Sequence, residues 1–405
     1  MLPFRQISHH SLVAGQRFLA GLAAFAVILQ ATMPSRAVDD SDRSIAVQNP
    51  KLLKPEPIAC ERVPLGEPDD YKPCIARRPD GELLLTAFHQ HQREGNKVME
   101  QTLLFRSRDG GKSWSPPDKL NLLGREPYLT VLQDGTIFLT GHLLANDVRN
   151  EWNYTTGFLH RSTDGGRTWQ SIRVESEQTK PKASNHTTRN VLELSDGSLL
   201  LGVDYDGGGG PYFVWRSTDG GTTWDKTQKC EPRDFKSQYG FFGGETWLWQ
   251  ARSGKVWALV RVDSNELPIQ DRPIKAGNDQ ADHFILFSSA DQGKTFDRIR
   301  DFGDYGEMYM SLLRLHDKRL LLTFTVRDLK PPLGVQAIPG TETDDGFEFD
   351  FAHDRVMLDT KTGSRFQGGG FGPTVQLDDG TLVTSYSYRG EDGKSHLEVV
   401  RWRLP

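Results

Sequence analysis

Acidic, basic and aromatic residues stand at matching positions in six similar segments of this sequence. Each segment is an apolar run, a turn and a second apolar run, and the turns are centred on Asp80, Asp134, Asp196, Ser253, Asp317 and Asp379. Seven to nine residues before the turns stand Lys72, Arg125, Glu126, Arg189, Glu245, Tyr309 and Phe371, with His186 near Arg189. Eight to eleven residues after them stand His89, His91, His142, Asp204, Arg261, Arg327 and Arg389. Ordinary polar loops favour Ser, Asn and Gly, so this bias towards ionisable residues indicates a site.

These residue types suit acid–base chemistry on an anionic ligand. Two carboxylates flanking a bond are the minimum for glycoside hydrolysis, and the candidate catalytic residues are Glu126, Asp204, Tyr309 and Glu245. Guanidinium groups bind carboxylates in a bidentate manner, and the candidate substrate-binding residues are Lys72, His89, Arg125, His142, His186, Arg189, Arg261 and Arg327. The pattern predicts an acidic oligosaccharide or glycoconjugate as substrate. The alternative is a purely structural ring of salt bridges.

Six β-hairpins are expected to position these residues. Asp-Gly between apolar runs is the strongest short-range hairpin signal, as in LTVLQDGTIFLTGH from Leu129. The start of the first strand and the end of the second strand lie side by side, opposite the turn. Both groups of candidate residues are therefore expected at the same end of each hairpin.

A second repeat indicates how the hairpins are arranged. The pattern Ser-x-Asp-x-Gly-x-Ser/Thr-aromatic, here called an Asp box, occurs at Ser107–Trp114, Ser162–Trp169, Ser217–Trp224 and Ser289–Phe296. Its Ser and Asp hold a tight turn, and its Gly takes backbone angles that other residues avoid, so the box is scaffold. A repeat of about fifty residues indicates a propeller. The predicted fold is all-β, a six-bladed β-propeller of four-stranded antiparallel sheets with Asp-box turns, in residues 57–405.

The propeller predicts where the site lies and how the ring closes. The first strand of each blade lines the central channel, so the candidate residues are expected on one face and the Asp boxes on the other. Only one strand follows the sixth hairpin. Its sheet is therefore expected to take an outer strand from between Ser44 and Val63, and residues 38–56 are predicted to be a linker and closing-strand region.

The leader and the composition narrow the class of protein. Residues 1–37 resemble a signal peptide, with Arg5 and Arg17, an uncharged apolar run and a small-x-small cleavage site ending at Ala37. We therefore expect a secreted or periplasmic monomer without stable membrane insertion. The formal charge of −5 argues against nucleic acid as a partner. No zinc spacing or phosphate-binding loop occurs, so no metal or cofactor is expected. Cys60 and Cys74 are candidates for a disulfide in an oxidising compartment.

The chain resembles the sialidase (neuraminidase) superfamily of BNR/Asp-box repeat propellers. The resemblance rests on the boxes, the six hairpins and the stretch GETWLWQARSGKVWALVR from Gly244, and covers residues 71–404. It implies the propeller fold and an exo-acting glycoside hydrolase. Sialidases bind the substrate carboxylate with three Arg residues and use a Tyr nucleophile activated by a Glu, with an Asp as acid/base. Glu245 matches that Glu, and Arg261 matches the central Arg.

Other positions depart from the sialidase pattern. Lys72-Pro73-Cys74 stands for Arg-Ile-Pro, Met308 and Tyr309 stand where the blade-five Arg is expected, and Phe371 takes the nucleophile's place. After the first hairpin the chain has His89, His91, Glu94 and Glu100 but no matching Asp. Three functions therefore stay open. They are an exo-glycosidase with a rearranged site, a uronate lyase-type enzyme with Tyr309 or a His as base, and a non-catalytic glycan-binding propeller.

Overall fold

The protein is built from short antiparallel strands that follow one another in hairpins. The computed structural model describes residues 43–175, 184–205, 210–237, 240–243, 245–262, 282–327, 332–362 and 371–405. The predicted signal peptide, residues 1–37, lies outside the described residues. Residues 39–405 belong to one compact unit.

The strands are numbered β1 to β28 in chain order. Strands β1 to β7 are Ser44–Ile45, Val47–Gln48, Ile58–Leu65, Asp70–Arg77, Leu83–Gln92, Val98–Ser107 and Asp118–Leu120. Strands β8 to β14 are Arg125–Val131, Ile137–Leu143, Thr156–Ser162, Gln170–Arg173, Asn185–Thr187, Leu192–Glu193 and Leu199–Tyr205. Strands β15 to β21 are Tyr212–Ser217, Lys229–Pro232, Trp247–Gln250, Val256–Val262, His283–Ser289, Thr295–Phe302 and Glu307–Arg314. Strands β22 to β28 are Arg319–Val326, Gly334–Glu342, Phe347–Phe349, Arg355–Met357, Thr374–Gln376, Leu382–Arg389 and Ser395–Trp402. A short 3-10 turn, Glu94–Asn96, connects β5 and β6.

All six predicted hairpins are confirmed. Their strand pairs are β4–β5, β8–β9, β13–β14, β17–β18, β21–β22 and β26–β27. The turn between β8 and β9 shows why the sequence folds this way. The Asp134 carboxylate accepts a hydrogen bond from the Thr136 backbone N–H at 2.8 Å, and Gly135 has a φ of +86°, which residues with a Cβ avoid.

The hairpins assemble into an all-β, propeller-like arrangement, in which the described residues form five hydrogen-bonded sheets. The prediction of separate four-stranded sheets holds for β4–β7 and for β8–β11 and is wrong for the rest. The third and fourth hairpins share a nine-stranded sheet because β16 pairs in parallel with β20, with Glu231 opposite Thr295 and Pro232 opposite Phe296. The sheets of the fifth and sixth hairpins take extra short strands from the N-terminal segment.

The expected closure of the last sheet is confirmed. Strand β3 pairs antiparallel with β28, from Cys60 opposite Trp402 to Leu65 opposite Leu397. Buried Arg62 ties this junction together, since its guanidinium donates hydrogen bonds to the Leu358 carbonyl at 2.8 Å and the Tyr386 hydroxyl at 2.6 Å. Beside this seam, apolar side chains of the first and last sheets form one buried cluster. Burying a large apolar side chain contributes roughly 1.5–3 kcal/mol.

Each Asp box connects the strand after its hairpin to the next strand along the chain, as β6 to β7 and β10 to β11. In the second box, Asp164 Oδ1 accepts a hydrogen bond from the Thr168 backbone N–H at 3.0 Å, and its Oδ2 accepts one from the Thr168 hydroxyl at 2.6 Å. The Trp169 indole N–H donates to the Gly166 carbonyl at 3.2 Å. The box therefore locks its own turn and its own aromatic ring.

The first strands of the hairpins surround a central cavity of about 330 Å³. Every hairpin contributes at least one lining residue from its first strand or from within two positions of it, including Ala76, Leu129, Asn190, Trp247, Leu312 and Thr374. This cavity corresponds to the predicted central channel. The starts of the first strands therefore converge at one end of it.

The suggested disulfide is wrong. Cys60, Cys74 and Cys230 are all free thiols, because Cys60 lies on β3 in the last sheet whereas Cys74 lies on β4 in the first. Burial raises the pKa of the Cys74 thiol to about 12, and its sulfur accepts a hydrogen bond from the Leu129 backbone N–H at 3.2 Å. Among the described residues, no helix is long and apolar enough to cross a membrane.

Candidate active site

One backbone feature repeats at the start of the first strands. Lys72, Glu126, Glu245, Tyr309 and Phe371 have positive φ values of 52°, 52°, 66°, 57° and 59°, and each stands eight residues before its turn residue. Residues with a Cβ adopt this left-handed conformation rarely and at a cost of about 1–3 kcal/mol, and such residues concentrate at functional sites. The pairing registers of β4, β8 and β21 shift at this point. The same backbone conformation therefore presents one side chain from each of these five hairpins, and in three of them it accompanies a bulge.

Arg189 supplies the corresponding side chain of the third hairpin and connects two of the others. Its Nη2 lies 3.1 Å from Glu126 Oε2 and 2.5 Å from Glu245 Oε1. Because both oxygens contact the same nitrogen, they are separated by no more than the sum of these distances, about 5.6 Å. Arg261 Nη1 binds the other Glu245 oxygen at 2.7 Å. The buried Glu126 carboxylate and the partly buried Glu245 carboxylate therefore face each other across one guanidinium.

Glu126 is surrounded by cations. Its Oε1 contacts the Lys72 ammonium and lies 3.5 Å from Arg125 Nη2. Burial by itself would raise the pKa of Glu126, but the charges of Lys72, Arg125 and Arg189 outweigh it and hold that pKa well below its usual value. Burial lowers the pKa of Lys72 to about 8, against the attraction of Glu126. Glu126 is therefore an anion at neutral pH, and Lys72 is a cation with an unusually labile proton.

Further carboxylates surround this group and nearly balance its charge. Asp282 Oδ2 lies 2.8 Å from Arg261 Nε, and Glu100 Oε1 lies 3.3 Å from Arg125 Nε. The described site has five basic and four acidic side chains, namely Lys72, Arg125, Arg189, Arg261 and Arg327 against Glu100, Glu126, Glu245 and Asp282. The described residues thus bring several guanidinium groups and several carboxylates together at the end of the channel.

Aromatic rings form a layer next to the charged groups. The Tyr309 and Phe371 ring centroids are 4.4 Å apart. Arg189 Cζ lies 4.2 Å from the centroid of Phe371, and Arg327 Cζ lies 4.7 Å from that of Tyr309. Burial raises the pKa of the Tyr309 hydroxyl above its usual value, and the nearby Arg327 opposes this only in part. The phenol is therefore neutral at physiological pH.

The pocket beside these groups has a volume of about 200 Å³. It is lined by Glu126, Thr140, Gly141, His142, His186, Thr187, Thr188, Arg189, Gly243, Glu245 and Arg261. The His142 and His186 rings meet edge to face, with centroids 5.5 Å apart. Burial lowers the pKa of His142 well below its usual value and that of His186 to about 4. Both imidazoles are therefore neutral hydrogen-bonding groups at the pocket wall.

Comparison with known proteins places the chain in a family. The family model described as a BNR repeat-like domain matches residues 65–311. The chain belongs to this BNR repeat-like family. No curated protein sequence matches it.

Solved structures similar to this BNR repeat-like protein include sialidases and an arabinanase. A Dyadobacter fermentans protein of unknown function is 22% identical, with a TM-score of 0.64 over 85% of this chain and 98% of that chain. The K499G mutant of NanB sialidase from Streptococcus pneumoniae is 11% identical, with a TM-score of 0.59 over 87% and 71% of the two chains. A Penicillium chrysogenum alpha-L-arabinanase is 13% identical, with a TM-score of 0.52 over 88% and 97%. At these identities the similarity shows the fold, and it confirms the BNR/Asp-box propeller resemblance.

Two predicted site residues of the BNR repeat-like protein lie elsewhere. Asp204 is fully buried and does not line the pocket; its Oδ2 accepts hydrogen bonds from the backbone N–H groups of Phe242 and Gly243, at 3.0 and 2.7 Å. Burial raises the pKa of Asp204 to about 7 in spite of these bonds. His89 lines a different pocket, where its Nδ1 lies 2.7 Å from Asp70 Oδ1. The structure therefore brings together the other predicted residues but not these two.

Sequence reasoning missed Asp282. It considered only the ends of the first two strands of each hairpin, whereas Asp282 directly precedes the third strand, β19. Because Val262 pairs with His283, Asp282 is brought beside Arg261. Including the residues just before the third strands would have identified Asp282 as a candidate. Among the residues that the structure describes, no group of three or more potential metal ligands occurs.

Proposed function

We propose that the protein is a sialidase-like exo-glycosidase that hydrolyses carboxylate-bearing glycans with a rearranged active site. The observation that carries this proposal is the pair of carboxylates, buried Glu126 and partly buried Glu245, that share Arg189 Nη2. Retaining glycosidases hold their two carboxyl groups roughly 5–5.5 Å apart, and inverting enzymes hold them farther apart. An oxygen separation of at most about 5.6 Å favours the retaining arrangement.

The charge of the site supports an anionic substrate. The described site contains four Arg side chains, and Arg residues bind carboxylates through paired hydrogen bonds. We infer that the substrate carboxylate displaces Glu245 from Arg261, which now lies 2.7 Å away. Once released from Arg261, the Glu245 carboxyl group serves as the general acid. Substrate binding thus generates the general acid.

The two carboxylates then divide the reaction. Glu126, which its neighbouring cations keep ionised, attacks the anomeric carbon while the glycosidic C–O bond breaks and the leaving oxygen takes the proton of Glu245. Water then attacks the same carbon, gives its proton to Glu245 and releases Glu126. Hydrolysis therefore needs no redox partner and proceeds with retention of configuration.

The size of the pocket supports action at a chain end. A volume of about 200 Å³ is below the usual range of roughly 300–1,000 Å³ for small-molecule sites. The pocket therefore suits one terminal sugar and not an internal segment of a glycan. His142 and His186, as neutral groups, are suited to hydrogen-bond its hydroxyls.

The second candidate function is glycan binding without catalysis. It is favoured by Phe371, which has no oxygen with which to attack, at the place of the sialidase nucleophile. It is also favoured because Glu126 and Glu245 are both ion-paired in the described structure. The two candidates differ in whether substrate is turned over.

The test is turnover of sialosides, uronides and sulfated glycans by the wild type, Glu126→Gln and Glu245→Gln. We expect hydrolysis of a carboxylate-bearing glycoside, a loss of more than about 100-fold in each variant, and a retained anomeric configuration by NMR. Glu307→Gln is the matched control, because Glu307 is also buried and paired with Arg355 at 2.8 Å but does not line the pocket. Binding without turnover of any glycan would favour the binding function, and an unsaturated product would indicate a lyase.

The six-bladed ring, the monomeric state and export also belong to this proposal. The six hairpins and the central cavity that all of them line support six blades, with the nine-stranded sheet counted as two blades joined by the short β16–β20 pairing. Export rests on the leader alone. Sequencing the N-terminus of the exported protein tests it, and we expect the mature chain to begin after Ala37.

A further inference from the structure

A second pocket lies between the closing strand β3 and the first sheet. It has a volume of about 410 Å³, twice that of the candidate active site, and the two pockets share no lining residue. Its walls are Val63–Leu65 of β3, residues of β5 and β6, and the segment from Trp114 to Lys119. The pocket therefore exists only where the two ends of the ring meet.

The aromatic residue of the first Asp box behaves differently from its counterparts at this pocket. The indole N–H groups of Trp169 and Trp224 each donate to the carbonyl of their box glycine at 3.2 Å. Trp114 Nε1 has no hydrogen-bond partner among the described residues, and Trp114 forms part of the pocket wall. The first box therefore lacks the hydrogen bond from its indole to the box glycine, and the Trp114 ring forms an aromatic wall of the pocket.

The polar groups of the pocket are held in place by other contacts. Asp70, which is buried, accepts a hydrogen bond from the Glu67 backbone N–H at 2.8 Å and pairs with His89 Nδ1 at 2.7 Å. Gln101 donates its amide N–H to the Leu120 carbonyl at 2.7 Å. These bonds fix the ring of His89 and the amide of Gln101 and leave His89 Nε2 and the Gln101 side-chain oxygen available for hydrogen bonds with a ligand.

We propose that this pocket binds an uncharged sugar unit, at a site separate from the candidate active site. An aromatic wall with a few convergent polar groups is typical of small-molecule sites of roughly 300–1,000 Å³. Lys119 supplies a donor, and the pocket also contains Glu67 and Asp70, so it has no excess of positive charge. It therefore recognises hydroxyl groups and not a carboxylate. This site goes beyond the proposed function, because it needs no catalysis.

The experiment measures binding of xylose, galactose and lactose to the full protein by saturation-transfer NMR and calorimetry. We expect saturable millimolar binding of at least one of these sugars. Trp114→Ala should weaken it at least tenfold, and Lys119→Ala, which changes an exposed side chain, should weaken it several-fold. Trp169→Ala is the matched control, since it removes another Asp-box tryptophan that does not line the pocket, and it should bind as the wild type does.

Two further arms separate this site from the candidate active site. Glu245→Gln should bind the neutral sugar unchanged even if it loses all turnover, and an excess of glucuronic acid should not displace the neutral sugar. The proposal is overturned by absence of saturable binding of all three sugars, by equal loss in Trp114→Ala and Trp169→Ala, or by competition from glucuronic acid. A protein without any glycosidase activity that still binds the sugar supports it.

Discussion

Replacing Arg189 with Met removes the cation that buried Glu126 and partly buried Glu245 share. The guanidinium contacts Glu126 at 3.1 Å and Glu245 at 2.5 Å, and these carboxylate side chains are 8% and 13% exposed. Removing one partner of a buried ion pair costs roughly 3–5 kcal/mol. Glu126 keeps Lys72 and Arg125, and Glu245 keeps Arg261. We therefore expect a loss of about 3 kcal/mol in the free energy of unfolding at pH 8.

This loss should depend on pH in a defined direction. Without Arg189, the repulsion between the two carboxylates raises the pKa of one of them in the folded state. That carboxyl takes up a proton as the pH falls through its raised pKa, and the repulsion then disappears. In the wild type, the low pKa of Glu126 contributes stability that is present above the unfolded pKa and is lost in acid. The first effect makes the deficit of the variant smaller as the pH falls from 8 towards about 4, and the second effect adds to it only below about pH 4.

The measurement is urea unfolding of the wild type and Arg189→Met at pH 8 and pH 5. Arg233→Met is the control, because Arg233 pairs with Asp297 at 2.8 Å but both side chains are more than half exposed. Exposed pairs contribute only about 0–1 kcal/mol. A loss in Arg189→Met below about 1 kcal/mol at pH 8, or the same loss at both pH values, would refute the argument that Arg189 balances two anions.

Three other predictions follow from single residues. Because the pKa of Asp204 is raised to about 7, this group stabilises the wild type below the unfolded pKa of about 3.9. That stabilisation is lost as the pH rises towards 7. Asp204→Asn should remove this pH dependence, so the melting temperature of the variant should not show the decline. In urea unfolding, Gly221→Ala should lose at least about 1 kcal/mol more free energy of unfolding than Gly197→Ala. Both glycines have positive φ, but only at Gly221 would a Cβ meet a neighbour, 2.3 Å from Phe138. Equal losses of stability in the two variants would contradict this. The affinity of the wild type for glucuronic acid should fall as the pH rises through 8, where Lys72 loses its proton. Lys72→Arg should bind glucuronic acid equally at pH 7 and pH 9. A wild-type affinity that does not change with pH would exclude a role for the Lys72 charge.

Local sequence patterns predicted the hairpins and most of the site. Asp-Gly turns are formed by neighbouring residues, so LTVLQDGTIFLTGH sufficed to locate β8 and β9. Counting from the turns then located Glu126 and Glu245, because a strand advances by a fixed length per residue. The same reasoning placed the outer strand of the last sheet in β3, since a strand edge needs a partner.

Longer-range features were beyond these patterns. The parallel contact between β16 and β20 involves only two residue pairs and depends on how neighbouring sheets approach each other. His89 follows the same counting rule as His142, yet β5 continues to Gln92, and its end lies at the second pocket. The indole N–H of Trp114 makes no hydrogen bond among the described residues, whereas that of Trp169 does, although the two boxes have the same sequence pattern. The difference arises because the pocket beside Trp114 is formed in part by β3.

The pairing of β3 with β28 joins segments from nearly opposite ends of the described chain. Such a contact forms late, because most of the chain must be ordered before the entropy of closing so large a loop is offset. Until then β28 presents an unpaired edge on which other chains can add. A molecule that binds against β3 stabilises the state in which β3 is paired with β28, by mass action. A sugar bound in the second pocket would therefore reduce aggregation of the newly made protein.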